Sequence, residues 1–179
     1  MAHKHQQDFC ETIKRRFPLY FKESRVLDIG SLDINGNNRY LFQDCDYIGL
    51  DVIEGKNVDV VCIAHEYQQP NESFDTIIST NALEHDMYYQ YTLKKIVDLL
   101  KPGGLLLFSA ANSWKEHGTL NTSPTQSATS QMAGGWASYY KNISPEDVKS
   151  SIDLEDIFFQ YELKVNAKDL QFWGIKKKG

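Results

Sequence analysis

Five short apolar runs recur along the chain, at residues 25–29, 47–52, 58–63, 73–80 and 105–110. Their length and β-branched content predict strands, and the short segments between them suit parallel pairing. The last run is apolar throughout, which predicts a central strand covered on both faces. Ahead of them, residues 7–16 space Phe9, Ile13 and Phe17 on one helical face, and Pro18 stops that helix. Residues 37–43 read as a short helix with Tyr40 and Leu41 facing inward. Asn81 stands as a cap with Glu84 three residues on, and Leu83, Met87, Leu93, Ile96, Val97 and Leu100 follow as a helical stripe. Lys101-Pro102-Gly103-Gly104 is the expected stop. Ser144 with Pro145, Glu146 and Asp147 predicts another helix start. Two runs at 157–165 and 170–175, joined by a turn at 166–169, predict an antiparallel hairpin. The whole reads as α/β, with a mostly parallel sheet and helices on both faces.

One stretch breaks the rhythm. Residues 112–142 are rich in Ser, Thr, Gly and Asn, with Trp114, Trp136, Tyr139 and Tyr140 interleaved. A connection this long inside a compact domain usually carries function. It is expected to lie at the carboxyl edge of the sheet, where α/β proteins bind ligands. There it would act as an acceptor-side lid carrying His117.

Length and composition bound the picture. With 179 residues the chain suits one domain, 1–179, of which 1–24 form the N-terminal helix and linker. A net charge of −5 argues against a broad nucleic-acid-binding face. No apolar stretch suits a signal peptide or a membrane span. Cys10, Cys45 and Cys62 are odd in number and far apart, which points to a reducing, cytoplasmic setting. No spacing resembles a metal site, and none is expected from the sequence. The Lys176-Lys177-Lys178 run reads as a solvated tail.

The chemistry is concentrated where strands end. Val26-Leu27-Asp28-Ile29-Gly30 closes the first strand with an acid and a glycine, and Ser31-Leu32-Asp33-Ile34-Asn35-Gly36 continues the turn. A glycine there permits positive φ and close approach of a ligand. Tyr47-Ile48-Gly49-Leu50-Asp51 closes the second strand, again with an acid. An acid a little over twenty residues past the first turn can accept bonds from both ribose hydroxyls of a nucleotide-like ligand. The Gly-x-Gly-x-x-Gly of a nicotinamide dehydrogenase is absent.

Those two stretches, with Phe74-Asp75-Thr76-Ile77-Ile78-Ser79-Thr80-Asn81-Ala82-Leu83-Glu84-His85 and Leu99-Leu100-Lys101-Pro102-Gly103-Gly104-Leu105-Leu106, resemble in order the motifs of the class I S-adenosylmethionine-dependent methyltransferases. The resemblance implies a single Rossmann-like, doubly wound sheet of seven strands in the order 3-2-1-4-5-7-6. It implies S-adenosylmethionine as cofactor and S-adenosylhomocysteine as product. By position, Asp28, Gly30, Ser31, Asn35 and Gly36 belong to the first turn and the methionine part. Asp51 and Val52 belong to the ribose, Ala64 and His65 to adenine, and Thr80 and Asn81 to the neighbourhood of the sulfonium. Two departures stand out. The first motif has Leu32 and Ile34 where glycines are usual, and Ile63 stands where an acid often meets the adenine amino group. Ile63 is therefore expected in the core, with Ala64 and His65 holding the base edge.

Neither Asp/Asn-Pro-Pro-Tyr nor a Pro-Cys pair follows the fourth strand, so a nucleic-acid base is not the expected acceptor. The expectation is methyl transfer to a small molecule or glycan precursor, with His117 and His85 as the acceptor-side catalytic candidates. A non-catalytic cofactor-binding protein and a protein or peptide methyltransferase are the alternatives.

Overall fold

The computed structural model describes residues 4–179, with side chains from Gln6 onward. Helix α1 (Lys4–Arg16) leads through a 3-10 turn at Pro18–Phe21 into β1 (Arg25–Ile29). Strands β2 (Asp46–Asp51), β3 (Val60–Val61) and β4 (Phe74–Thr80) follow, then helix α2 (Tyr89–Leu99) and β5 (Leu100–Ala111). Two short helices, α3 (Pro145–Ser151) and α4 (Leu154–Ile157), precede β6 (Phe158–Asn166) and β7 (Asp169–Lys176). The seven strands form one sheet in the order β3-β2-β1-β4-β5-β7-β6. The first five strands pair parallel, while β7 runs antiparallel to both β5 and β6. This is the order the motifs imply.

The two-residue alternation of strands divides the core between the faces. Leu27, Ile77, Leu106 and Phe108 turn one way and meet Leu93, Ile96 and Leu99 of α2. Val26, Ile78, Leu105 and Leu107 turn the other way and meet Phe9 and Ile13 of α1. An uninterrupted apolar run is what a strand covered on both sides requires, and all of 105–111 in β5 is buried.

Five local expectations are corrected. The third strand shrinks to Val60–Val61, paired with β2 alone, and Val61 is half exposed at the sheet edge. The segment at 37–43 keeps only a 3-10 turn at Arg39–Leu41, with Leu41 buried and Tyr40 exposed. Asn81 does not cap a helix. Its φ is +49°, its Oδ1 accepts from Ser109 Oγ at 3.0 Å, and a 3-10 turn at Leu83–His85 separates it from α2. The helix stops at Leu99 as expected, but β5 begins at Leu100 and takes in Lys101-Pro102-Gly103-Gly104, and its pairing with β4 shifts register between Phe74 and Thr76. Lys176 is not a free tail residue either. Its Nζ donates to the carbonyls of Val97 and Leu100, both at 2.8 Å, and so caps the carboxyl end of α2.

The long connection at 112–142 is built, not loose. It folds into 3-10 turns at Pro124–Gln126, Ala128–Gln131 and Trp136–Ser138. Asn142 laces its two ends together, donating to the Trp114 carbonyl at 2.9 Å and accepting from the Trp114 amide at 3.2 Å. Among the described residues, no helix is long and apolar enough to cross a membrane.

Candidate cofactor and acceptor site

The turn after β1 is held by its neighbours. The amides of Gly30 and Ser31 both donate to the Leu50 carbonyl, at 2.9 and 3.1 Å. Gly30 has φ +77°, and a Cβ placed on it would lie 2.3 Å from the Cβ of Ala82. Only glycine lets the turns after β1 and β4 touch in this way.

Two buried aspartates end the adjacent strands. Asp51 accepts from the Leu32 amide at 2.8 Å through Oδ2 and from the Val52 amide at 2.7 Å through Oδ1. Burial raises its pKa and the two amides pull part of the shift back. Each oxygen keeps a further lone pair for a ligand hydroxyl. Asp28 lies beneath the turn, 1% exposed, and accepts from the Tyr47 hydroxyl while its Oδ1 has no partner. Burial pushes its pKa up to about 6, against the opposing pull of Tyr47. Ser31 Oγ is likewise buried and unpartnered. Asp33 closes the rest of the loop, accepting from the Gly36 amide at 2.8 Å and Asn37 Nδ2 at 2.9 Å and pairing with Lys56 at 2.7 Å.

A half-open cleft lies at the carboxyl ends of β1 and β2. Gly30, Asp51, Val52, Ile63, Ala64 and Trp136 are among its walls. A second compartment shares Gly30, Asp51, Ala82 and Thr129 with the first and adds Asn81, His85 and Ser127. Of the residues singled out in the sequence, Gly30, Asp51, Val52, Ala64, Asn81 and His85 therefore line the paired clefts. Asp28 and Ser31 lie under them, Asn35 is exposed, and Gly36 shapes the loop. Thr80 is buried behind the strand end, accepting from Asn38 Nδ2 at 3.0 Å. His65 turns to Tyr88 and Tyr91, with ring centroids at 5.1 and 6.1 Å. Ile63 is a wall of the cleft, not a core residue, which corrects its expected place.

The second compartment backs onto a cluster of rings. His85 is buried, with His117 edge-on at 5.4 Å and Tyr140 at 5.6 Å between centroids. Burial, reinforced by His117, holds the His85 pKa down at about 3, so the imidazole is neutral. His117 Nδ1 sits 3.0 Å from the Lys115 carbonyl. Glu84 is fully buried beside them, and burial holds its carboxyl well above the usual range.

Trp136, singled out as an aromatic of the 112–142 segment, lines the cleft, whereas Thr129 and Asp86 had no sequence signal: Thr129 reaches it because that segment folds back over it, and Asp86 lies just past the turn at 83–85. The aromatic content of that segment was the one available hint.

A family model described as a methyltransferase domain matches residues 1–165. No curated protein matches the chain. Among solved structures, the Burkholderia thailandensis 1,6-didemethyltoxoflavin-N1-methyltransferase, with 1,6-didemethyltoxoflavin and S-adenosylhomocysteine bound, is 14% identical. It superposes with a TM-score of 0.59, over 99% of this chain and 92% of that one. The [4+2]-cyclase SpnF is 12% identical with a TM-score of 0.67, over 97% and 82% of the two chains. Haemonchus contortus phosphoethanolamine N-methyltransferase 2, in complex with S-adenosyl-L-methionine, is 20% identical with a TM-score of 0.60, over 97% of this chain and 53% of that longer one. The family match spans nearly the whole chain and agrees with the strand order, so the chain belongs to the methyltransferase domain family and is a class I S-adenosylmethionine-dependent methyltransferase.

Proposed function

We propose that the protein moves the methyl group of S-adenosylmethionine onto a small-molecule or glycan-precursor acceptor, as a single methyltransferase domain. The observation that carries this reading is the pair of compartments meeting at Gly30, Asp51, Ala82 and Thr129. In this reading the first compartment takes the adenosine part. Asp51 accepts from the ribose hydroxyls, and Val52, Ile63 and Ala64 flank the base, with His65 beside them. The methionine part lies along Gly30 and Ser31, with Asp28 beneath its amino group and Asn35 and Gly36 shaping the loop. The sulfonium and its methyl face Asn81, with Thr80 in support. The acceptor enters the second compartment, where activating its nucleophilic atom falls to His85 and His117. The segment 112–142 is its lid, which excludes water and holds a near-attack geometry. The methyltransferases it resembles, acting on a didemethyltoxoflavin and on phosphoethanolamine, are consistent with a small acceptor. An acidic chain with Cys10, Cys45 and Cys62 all free suits a small acceptor over nucleic acid, in a reducing cytoplasm.

Asp51→Asn tests the reading. The amide keeps an acceptor for the loop but loses the charge that strengthens bonds to two hydroxyls, a loss of about 1.5–3 kcal/mol. Calorimetry with S-adenosylhomocysteine should give roughly ten- to hundredfold weaker binding. Wild-type affinity in the variant would remove Asp51 from the site, and no binding by the native chain would overturn the reading.

A further inference from the structure

Glu84 is completely buried, and neither carboxylate oxygen has a hydrogen-bond donor. The backbone amides of Glu84 and Ala111 lie near it without completing a bond. Such a group is costly to keep unless something pairs with it. The next residue, His85, is 5% exposed, and its Nδ1 is also buried without a partner. From the other side of the sheet edge, the 112–142 segment delivers His117. One ligand atom from each of Glu84, His85 and His117 lies within 4.8 Å of the others.

The surroundings fix these groups in place. The Lys115 carbonyl, 3.0 Å from His117 Nδ1, favours the tautomer with the proton on that nitrogen. That leaves the Nε2 lone pair free, the outer-shell arrangement usual for a metal-bound histidine. A Cβ on Gly118 would lie 2.6 Å from His85 Cε1, so the backbone itself presses on that ring. The Tyr140 ring packs against both imidazoles.

We propose that Glu84, His85 and His117 form a mononuclear site for a divalent transition-metal ion, with an open coordination position toward the second compartment. Two imidazoles and one carboxylate suit zinc, iron(II) or a similar ion, whereas magnesium and calcium favour oxygen ligands. Metal–ligand distances of about 2.0–2.2 Å would draw the three groups together. His117 makes most of that adjustment by a side-chain rotation that keeps its Nδ1 on the Lys115 carbonyl. The role of this ion rests on the reading of the second compartment as the acceptor's. His85 is a wall of that compartment, so an acceptor hydroxyl there can complete the coordination. The ion lowers the hydroxyl's pKa, the proton passes to bulk water before the lid closes, and the oxygen then attacks the methyl carbon. The carbon–sulfur bond breaks, sulfur keeps the electron pair, and S-adenosylhomocysteine and the methyl ether are left.

The native chain, stripped with a chelator, is titrated with zinc alone by calorimetry, and with cobalt(II) as a spectroscopic probe. One equivalent of zinc is expected, with cobalt bands of an imidazole-bound ion. His117→Ala and Glu84→Gln should each weaken zinc binding beyond the roughly 10–100-fold that losing an outer-shell partner costs. Joint replacement of His3 and His5 by alanine should leave binding intact. Circular dichroism confirms that each variant is folded, and Glu84→Gln removes a buried charge and so should fold at least as well as the native chain. Absence of stoichiometric binding, or binding unchanged in both ligand variants, would overturn the metal site. S-adenosylhomocysteine affinity, measured on the same metal-free chain, reports separately on the cofactor reading.

Discussion

Asp28 and Asp51 sit at the ends of neighbouring strands, yet the protein spends them differently. Asp51 has a backbone amide on each oxygen and works partly as a splint for the first loop. Asp28 has one phenol and an orphaned oxygen, a costly arrangement that the cofactor amino group would relieve in the proposed binding mode. Its carboxyl titrates near 6 in the folded state, raised by burial from 3.8. Between those values the unfolded chain is ionised while the folded one still holds its proton. The contribution to stability is therefore complete below about pH 4 and is lost as pH rises through 6, about 3 kcal/mol in all. Asp28→Asn should abolish that slope, so denaturant titrations should find the variant gaining on the native protein between pH 4.5 and pH 7.5. Its affinity for S-adenosylmethionine should fall at the same time. An unchanged difference between the two pH values would refute the burial account. At this scale the legible residues were those written beside a strand end: Asp28, Gly30 and Asp51 each follow an apolar run. Glu84 was legible only as half of a capping pair. Its burial depends on Ala111 and His117, which no local pattern ties to it.

Among the elements, boundaries set by hydrophobic runs came through. Strand β1 spans Arg25–Ile29 as read, β6 is shifted by one residue from its expected run, and β7 gains a residue at each end. Boundaries set by capping rules were less secure, because tertiary partners compete for the same side chains. Ser109 takes the Asn81 side chain, and α2 starts at Tyr89 with no side-chain cap. Ser144 meets no such competitor. It accepts from the Asp147 amide at 3.1 Å, and Asp147 accepts from the Ser144 amide at 2.9 Å. Partial burial alone would raise the Asp147 carboxyl, but Lys141 and these donors outweigh it and hold it at about 2. Ser144→Ala should cost about 0.5–2 kcal/mol in denaturant unfolding. Affinity for S-adenosylhomocysteine should not move, because α3 touches neither compartment. A matched loss of affinity would tie α3 to the site.

For the molecule as a whole, the sheet fixes the floor of the site and one long excursion fixes its roof. The order of strands was legible only through the resemblance of the strand-end motifs to those of the methyltransferase family, which implies it. The roof was not, since its 3-10 turns have no periodicity to read and its folding depends on the surface beneath. Thr129 and Trp136 from that excursion line the same cleft as Asp51 and Ala64. Their position has a temporal consequence. In the binding mode proposed above, Trp136 shares the cofactor's cleft, so entry to Asp51 and departure of the demethylated product are expected to require the excursion to move. Exchange is then governed by how often that door opens, and the residence time of S-adenosylhomocysteine sets an upper bound on turnover. Trp136→Ala should accelerate association and dissociation of S-adenosylhomocysteine together in stopped flow, with a far smaller change in their ratio. Under saturating substrates, turnover of such a variant above that of the native protein would mark the emptying of the site, and not the chemistry within it, as the slow event.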